Sequence, residues 1–485
     1  MVNLKTISKI IGTLLFIEAF LMVCCLGVAF YFKEDDFFAF LVSTFITVGT
    51  AFLLKYYGRD SDNVLSRRDS YLVVTLAWTI FSLFGTLPFI ISGHITDFTD
   101  ALFENVAGFT TTGTTILRDI EKLSHGLLFW RSLSQWVGSL GIVFFTIALL
   151  PSMSGGSVRV FAAEATGPLR TRLHPHLSTS AMWIWSIYLM LTIACSASYI
   201  ILGMDWFDGV NYGMTTTATG GFSTHNGSLG IFQSAGIEYA CTFFCFLAGV
   251  NFTLLYSSII KLKPAKLFRD DEFKFYIILI ALAVVVIMAQ LMAHNHYDLE
   301  KAFRTTIFHV VSFFTTAGIF NDNLGEWPRN TFIILTGLMV LGACSGSTSG
   351  GLKCIRGVML LKIVRNEMKQ ILHPNAVLPL RINEQNVTLQ KRVTLLAFIT
   401  TYVLVAIIAY TAITIAGINH TNAVTIVLSC MSNTGPSLDM NIGPVISWAM
   451  LPKGVKWLCM TLMLIGRLEI FSVLVIFTPE FWKRN

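Results

Sequence analysis

Charged residues are scarce in this chain: Asp, Glu, Lys and Arg make up 13% of its 485 residues. Soluble domains carry roughly 25% charge, whereas hydrophobic residues here reach 54% and the mean hydropathy is +0.67. This composition excludes an ordinary soluble domain. Several apolar runs of about 20 residues are long enough to cross ~30 Å of hydrocarbon at ~1.5 Å per residue. The chain is therefore predicted to be a polytopic membrane protein.

Motifs for metal binding, catalysis and nucleotide binding are also missing. The nine cysteines lie mostly within apolar runs, which favours small buried side chains over a disulfide framework. No Ser/His, Asp/Asp or His-Glu-x-x-His constellation lies in the apolar runs, so nothing indicates an intramembrane enzyme. Gly351 is followed by Leu352 and Lys353 rather than by Lys and Ser/Thr, which argues against a phosphate loop. The net charge of +6 is concentrated in loops and indicates topology rather than nucleic-acid binding.

A turn rich in threonine, asparagine and glycine recurs four times between apolar stretches. The four turns are 110–114, 218–222, 315–319 and 433–436, with glycines 113, 221, 318 and 435 about a hundred residues apart. Non-helical backbone is tolerated at membrane depth only where it is buried in protein or lines water. One short re-entrant loop in each of four units is the layout of a four-fold ion pore.

The apolar pattern predicts ten spanning helices and four half-spanning pore helices. The spans are predicted at about 7–32, 36–56, 70–92, 127–150, 178–203, 232–261, 273–293, 330–369, 392–416 and 455–478, and the re-entrant segments at about 97–114, 206–223, 298–319 and 420–436. The first run is expected to be a helix of the mature protein rather than a cleaved leader. The predicted fold is all-α: a leading hairpin and four pseudo-symmetric helix–pore loop–helix units around one central pore. We number the units 1 to 4; the hairpin covers 1–60 and the units cover 68–155, 175–263, 270–372 and 388–485.

Lysine and arginine predict the orientation of these helices. They cluster near residues 5–9, 59–68, 159–172, 261–269, 353–369, 391–392 and 483–484, all on one side of the ten-helix map, whereas the other side is acidic. Both termini are therefore expected in the cytoplasm, and the pore loops are expected to enter from the outer face.

The recurrent turns suit a cation. Carbonyl oxygens from four loops can replace an ion's hydration shell, and glycine reaches the positive φ angles that an extended filter needs. The partly negative C-terminal ends of the pore helices would face the ion. The candidate ion ligands are Thr111, Thr112, Gly113, Thr219, Gly220, Gly221, Thr316, Ala317, Gly318, Asn433, Thr434 and Gly435. Because the four turns differ in sequence, we expect fewer good ion sites than in a homotetramer.

Two further features lie within the predicted spans of units 3 and 4. Small polar residues and glycine interrupt the span 330–369 over residues 342–351, where a regular helix is disfavoured. We interpret part of this break as a gate loop under the filter, with a flexible packing kink as the alternative. The gate loop comprises Ser345, Gly346, Ser347, Thr348, Ser349, Gly350 and Gly351.

Ionisable residues within the spans need partners, because an arginine at membrane depth costs at least ~2.5 kcal/mol on insertion scales. Arg467 is interpreted as a positive barrier in the ion path, held by a carboxylate or by the gate loop; the alternative is a structural ion pair, for example with Glu469. Glu104, within the first pore helix, is a candidate support for the filter. Asn251 is expected to make a helix–helix hydrogen bond.

Several segments together resemble the TrkH family of bacterial potassium-uptake proteins, in the Trk/Ktr/HKT superfamily. These segments are the four turns, the Ser/Gly break, Gly220–His225, His373-Pro374 and Gly466–Phe471, and the resemblance covers essentially the whole chain. It implies a potassium translocation subunit of the inner membrane, usually a homodimer, with rubidium also permeant. The family glycines correspond to Gly113, Gly221, Gly318 and Gly435, with Gly220 as the alternative in the second turn, the gate loop to 345–351 and the pore arginine to Arg467.

The resemblance also implies a cytoplasmic nucleotide-binding regulatory subunit of the TrkA type, so this chain is expected to bind potassium but no nucleotide itself. Basic loops at about 155–177, 262–272 and 365–391 are candidate docking surfaces. In the superfamily, serine at the first filter glycine accompanies sodium preference, so Gly113 favours potassium. The alternative is a secondary carrier that couples potassium to protons or sodium. Carriers usually show inverted repeats and broken helices, whereas these repeats are parallel, which favours a pore.

Overall fold

The computed structural model describes residues 2–61, 65–141, 177–322, 324–436 and 448–483. Apart from one two-stranded hairpin, the regular elements of these segments are helices, so the predicted all-α membrane fold is confirmed. Within these described segments six helices can cross a membrane by length and composition, or up to eight if each of two bent pairs counts as one span. The predicted end of the span 127–150, from residue 142 onward, and residues 155–176 of the first basic loop lie outside the described segments.

The leading hairpin consists of α1 (Leu4–Phe32) and α2 (Asp36–Tyr57). The two helices pack closely because Gly12 of α1 has no side chain: an added Cβ would lie 2.8 Å from a backbone oxygen of α2. The hairpin is joined to unit 1 at its turn, where Ser124 Oγ donates a hydrogen bond of 2.6 Å to Asp36. The hairpin is therefore packed against the pore units.

The four units follow in chain order. Unit 1 contains α3 (Arg67–Phe84), α4 (Leu87–Ile91), α5 (Phe98–Phe109) and α6 (His125–Ser139). Unit 2 contains α7 (Leu177–Ile201), α8 (Trp206–Ala218), α9 (Ala235–Ala248) and α10 (Phe252–Ile259), and the short helix α11 (Ala265–Arg269) lies between units 2 and 3. Unit 3 contains α12 (Asp271–His294), α13 (Leu299–Phe314), α14 (Arg329–Leu341) and α15 (Cys354–Leu372), followed by the antiparallel strands β1 (Arg381–Ile382) and β2 (Gln385–Asn386). Unit 4 contains α16 (Leu389–Ile415), α17 (His420–Ser432), α18 (Lys453–Leu468), α19 (Ile470–Leu474) and α20 (Pro479–Trp482).

The pore helices are α5, α8, α13 and α17. They are 12 to 16 residues long, too short to cross the hydrocarbon at ~1.5 Å per residue. Asp97 and Asp205 cap α5 and α8 by accepting hydrogen bonds from first-turn N–H groups, as their position in the sequence suggests. Asp298 occupies the same position before α13 without making such a bond. Each pore helix ends at one of the four recurrent turns.

Two spans predicted to be continuous are sharply bent in the described residues. The span 232–261 bends by 104° between α9 and α10, and the span 455–478 bends by 115° between α18 and the helical segment that follows it. In the second case Glu469 adopts a left-handed conformation, with φ of 63°. The prediction of two continuous helices was therefore wrong, whereas the predicted interruption between α14 and α15 is present.

The break between α9 and α10 is stabilised by the gate loop and by Cys344, the residue before it. Gly249 O accepts a hydrogen bond of 3.0 Å from Cys344 N, and Phe252 N donates one of 3.0 Å to Gly346 O. Asn251, predicted to bond between helices, instead caps α10 by accepting from Thr253 N at 2.8 Å. Backbone groups released at membrane depth need partners within the protein. The continuous apolar pattern of this span could not reveal that another unit supplies them.

The buried core forms two large clusters. One joins the leading hairpin with units 1 and 4, and the other is formed chiefly by units 2 and 3. The four recurrent turns contact one another across this division. The candidate site is therefore built by the packing of all four units.

Candidate functional site

The four recurrent turns form a closed ring, which we call the filter ring. An added Cβ on Gly113 would meet Gly220 O, one on Gly221 would meet Ala317 O, one on Gly318 would meet Thr434 O, and one on Gly435 would meet Thr112 O. Unit 1 thus contacts unit 2, unit 2 contacts unit 3, unit 3 contacts unit 4, and unit 4 contacts unit 1. In every case the carbonyl belongs to the residue just before the next glycine. Each filter glycine therefore allows close approach of the neighbouring backbone.

The backbone repeats from turn to turn. The glycines have φ angles of 78°, 79°, 65° and 98° at positions 113, 221, 318 and 435. Two residues earlier, positive φ angles of 54°, 52°, 59° and 55° occur at Thr111, Thr219, Thr316 and Asn433. A β-branched residue in this region is an outlier that costs of order ~1–3 kcal/mol and often marks a functional site. By these angles Gly221, rather than Gly220, occupies the position equivalent to the other three glycines.

The ring brings the twelve predicted ligand residues together at the C-terminal ends of the pore helices. Thr112, Thr219, Thr316 and Thr434 are all fully buried. The partly negative helix ends make the surrounding potential favourable for a cation. The arrangement can hold a dehydrated cation among backbone carbonyls and threonine hydroxyls.

Glu104 lies behind the filter ring and forms a buried ion pair with Arg131 of α6. Arg131 Nε donates to Glu104 Oε1 at 2.9 Å, and the two side chains are only 2% and 0% exposed. Glu104 Oε2 also accepts from Ile116 N at 2.9 Å, just past the first filter glycine. Arg131 Nη1 in turn donates to Ser223 O, just after the second turn, at 2.8 Å. Sequence reasoning singled out Glu104 but missed Arg131, although its place in an apolar span was a signal.

The gate loop lies against two of the pore-helix ends. Gly350 N donates a hydrogen bond of 2.6 Å to Thr316 Oγ1 in the third filter turn. An added Cβ on Gly350 would meet the carbonyl of Ser432, the last residue of α17. Thr348 Oγ1 donates to Ala248 O, at the end of α9, at 3.1 Å. The loop is thus packed against units 2, 3 and 4.

Glu272 holds both ends of the break between α14 and α15. Its Oε1 accepts hydrogen bonds from Ser345 N at 2.6 Å and from Ile355 N at 2.9 Å, and its Oε2 accepts from Ser345 Oγ at 2.9 Å. The residue is 4% exposed. Sequence reasoning missed it, because an acidic residue in the first turn of a helix is ordinary.

Arg467 connects the gate loop to unit 1. Its Nη1 donates to Thr348 O at 3.1 Å, and its Nη2 donates to Gly138 O at 2.8 Å and also to Ser139 O, at the end of α6. Of the partners suggested by the sequence, the gate loop therefore holds this guanidinium. Glu469, the example offered for a structural ion pair, is bonded to Arg356 at 2.6 Å.

Lys353 is a buried cation next to the gate loop. Its side chain is hydrogen bonded to the backbone oxygen of Ser349 and to Ser349 Oγ, and the residue is 3% exposed. The charge pattern placed Lys353 in the basic cluster 353–369, but the side chain is buried rather than exposed in a loop. The break before α15 brings Lys353 back against the gate loop, a contact that the charge pattern cannot indicate.

Comparison with known proteins identifies the family. The TrkH family model, described as a cation transport protein, matches residues 33–484. The chain belongs to the TrkH family. The Trk system potassium uptake protein TrkH of Halomonas elongata is 34% identical over 484 residues, covering 99% of this chain and 100% of that protein. The protein of the same name from Escherichia coli K12 is 34% identical over 485 residues, again covering 99% of this chain and 100% of the relative.

A solved TrkH-family structure has the same fold. The crystal structure of the potassium transporter TrkH from Vibrio parahaemolyticus superimposes with a TM-score of 0.89 at 30% identity, covering 99% of this chain and 100% of that chain. The family resemblance inferred from the turns and the Ser/Gly break is therefore confirmed. Membership places the chain among multi-span cation transport proteins.

Proposed function

We propose that this chain is the potassium-selective, channel-like translocation subunit of a bacterial potassium uptake system, with rubidium also permeant. The closed filter ring carries the proposal, because four equivalent loops meet at the ends of four pore helices. Its relatives from H. elongata and E. coli are named Trk system potassium uptake proteins. The proposed location is the inner membrane, with both termini in the cytoplasm and the chain present as a homodimer.

In this proposal potassium loses its hydration shell to the oxygens of the filter ring. The ligands come from the twelve ring residues, Thr111–Gly113, Thr219–Gly221, Thr316–Gly318 and Asn433–Gly435. Their differing side chains support an asymmetric site with fewer good positions than four identical subunits would provide. Gly113, whose α-carbon lies against Gly220 O, leaves no space for a side chain at the first position.

The gate loop and Arg467 form the proposed barrier beneath the filter ring. The loop is bonded to the third turn through Gly350 and to Glu272 through Ser345. Arg467 adds a fixed positive charge that disfavours a cation in the same place. Passage then requires the loop to move and the arginine to follow it, since Thr348 O of the loop accepts a hydrogen bond from the guanidinium.

Control by a cytoplasmic nucleotide-binding partner of the TrkA type would act through two of the candidate docking loops, 262–272 and 365–391. These loops are joined: Asn383 Nδ2 donates to Asp270 at 2.6 Å, and Asp271 N donates to Asn383 Oδ1 at 2.8 Å. Lys362 Nζ also donates to Asp271 at 2.6 Å. The next residue is Glu272, which holds the gate loop. A partner that displaces the β1–β2 hairpin would therefore pull on the gate.

The test is rubidium influx into liposomes that contain the purified chain, under an outward potassium gradient and without a proton or sodium gradient. Influx that external potassium suppresses, and sodium or lithium suppresses only weakly, is the expected result. Gly113→Ser serves as the matched variant, because a hydroxymethyl group at this position would displace the Gly220 carbonyl and should weaken the discrimination against sodium. Protein-free liposomes give the background.

Absence of influx until a proton or sodium gradient is imposed would overturn the channel-like proposal in favour of a coupled carrier. Equal suppression by potassium and sodium would overturn potassium selectivity. Both outcomes can be read from the same vesicle preparation, since only the external salt and the imposed gradient change.

A further inference from the structure

We propose that Gln135 is a positioning residue of the second filter turn, and that Gly220 is a glycine because the Gln135 amide occupies the space of its side chain. The proposal rests on the proposed function, because it assigns a residue that sets the selectivity of the same filter ring. Gln135 lies on α6 in unit 1, whereas the turn that it holds belongs to unit 2.

The Gln135 amide binds the backbone on both sides of Gly221. Its Nε2 donates a hydrogen bond of 2.7 Å to Gly220 O, and its Oε1 accepts one of 3.1 Å from Phe222 N. A carbonyl can only accept and an N–H can only donate, so these partners fix the amide orientation. The side chain is fully buried. One side chain thus determines the spacing of the two peptide groups that flank the filter glycine.

The second turn lacks a side chain at the position just before its filter glycine, where the other three turns carry one. Residues 112, 317 and 434 carry side chains where this turn has Gly220. An added Cβ on Gly220 would lie 2.4 Å from both Cδ and Oε1 of Gln135. The extra glycine is therefore complementary to the glutamine, and its φ angle is not among the positive ones that would require glycine by themselves.

The bond to Gly220 also acts on the neighbouring turn. Gly220 O is the atom that an added Cβ on Gly113 would meet, so its position sets the contact between the first two turns. Among the described residues, the equivalent carbonyls of Thr112, Ala317 and Thr434 accept no hydrogen bond from a described donor. Gly220 O is thus engaged by a protein donor while its three counterparts remain available to an ion. Gln135 therefore makes the set of four carbonyls that precede the filter glycines asymmetric.

The test combines selectivity with a rescue. Gln135→Leu keeps the side-chain size but removes both bonds, and should reduce the preference for potassium over sodium in rubidium-influx competition by about tenfold, the change that corresponds to ~1.4 kcal/mol. Gly220→Ala should lower the preference similarly, because its methyl group clashes with the amide. Gln135→Ala makes room for the added methyl group but also removes both bonds, so the double variant should be more thermally stable than Gly220→Ala alone while its preference for potassium stays as low as in Gln135→Leu. Gln390→Ala, an exposed glutamine on α16, is the matched control.

The competition ratio separates this proposal from the proposed function. If the unaltered chain gives no potassium-suppressed influx, the proposed function fails. If the unaltered chain is selective but Gln135→Leu keeps the same ratio, the positioning role of Gln135 is wrong. If Gly220→Ala lowers the melting temperature equally with and without Gln135→Ala, the complementarity of the two residues is wrong. A fall in thermal stability with an unchanged ratio would likewise leave Gln135 as a packing residue and overturn the proposal.

Discussion

Glu272 offers the sharpest test of the gate, because one side chain holds the loop at both ends. Its carboxylate accepts from Ser345 N, Ser345 Oγ and Ile355 N at distances of 2.6 to 2.9 Å. Replacing Glu272 with alanine removes all three bonds and leaves two buried N–H groups without this acceptor. A hydrogen bond to a charged group contributes ~1.5–3 kcal/mol.

These bonds set the magnitude of the expected effect. If the loop must leave Glu272 to open, the loss of even one such bond moves the closed–open equilibrium about tenfold toward the open loop, since ~1.4 kcal/mol is a factor of ten. Glu272→Ala should therefore raise rubidium influx by about tenfold or more. Ser345→Ala removes only the hydroxyl bond and should raise it by about tenfold, the lower end of the range expected for Glu272→Ala.

Glu272→Gln is the matched control. Its carbonyl oxygen can accept from both N–H groups, and its amide nitrogen can donate to Ser345 Oγ, so the three contacts survive without the charge. The assay is rubidium influx into liposomes, with size-exclusion profiles of each variant in detergent. A folded Glu272→Ala protein whose influx equals that of the unaltered chain would refute the gate. So would an increase of the same size in Glu272→Gln, because the effect would then come from charge rather than from contact with the loop.

Three further predictions concern other parts of the site. Arg467→Ala should raise rubidium influx by about tenfold, because it removes a positive charge and the bond to Thr348 O. Arg467→Lys keeps the charge, so its influx should stay close to that of the unaltered chain. Equal influx in both variants would contradict the proposed role of Arg467 as a barrier. Glu104→Ala should destabilise the protein by about 3–5 kcal/mol in thermal unfolding, because it leaves the charge of Arg131 buried without its carboxylate. Asp60→Asn, in the exposed pair with Arg59, should leave the melting temperature nearly unchanged. Similar melting-temperature shifts in the two variants would disprove this difference. The hydrogen bond to Asp208, together with the nearby Glu121 carboxylate, raises the pKa of His225 from 6.5. The stability that protonated His225 gives the folded protein is therefore complete below pH 6.5 and is lost as pH rises through the raised pKa. The melting temperature should therefore fall from about pH 5.5 to about pH 8.5 by more in the unaltered chain than in His225→Gln, and parallel curves would exclude this contribution.

The fold was largely predictable from local composition. Apolar runs of membrane length, short segments between them and recurrent glycine turns are properties of neighbouring residues, and they gave the leading hairpin and the pore helices. The interruption between α14 and α15 was also predictable, because ten small and polar residues cannot maintain a regular helix in lipid. The bend at Gly249–Asn251 was not, since its freed backbone groups are bonded by the gate loop of another unit.

The candidate site was predictable in its ring residues but not in the side chains that hold them. Gln135, Arg131 and Glu272 are polar residues in apolar or helix-terminal settings, and nothing near them in the chain indicates what they bind. Asn251 shows the same limit. It was predicted to bond between helices, but it caps α10 at the break between α9 and α10.

Local residue chemistry thus decided that this chain spans the membrane, carries four glycine-bearing turns and breaks a helix beneath them, because hydropathy and backbone preference act over a few residues. Tertiary structure alone decided which carbonyl lies against each filter glycine and which side chains bind the gate loop. Glu272 and Ser345 are 73 residues apart, and Arg467 and Gly138 are 329 residues apart. Contacts at such separations depend on how the four units pack, and that packing leaves no local pattern in the sequence.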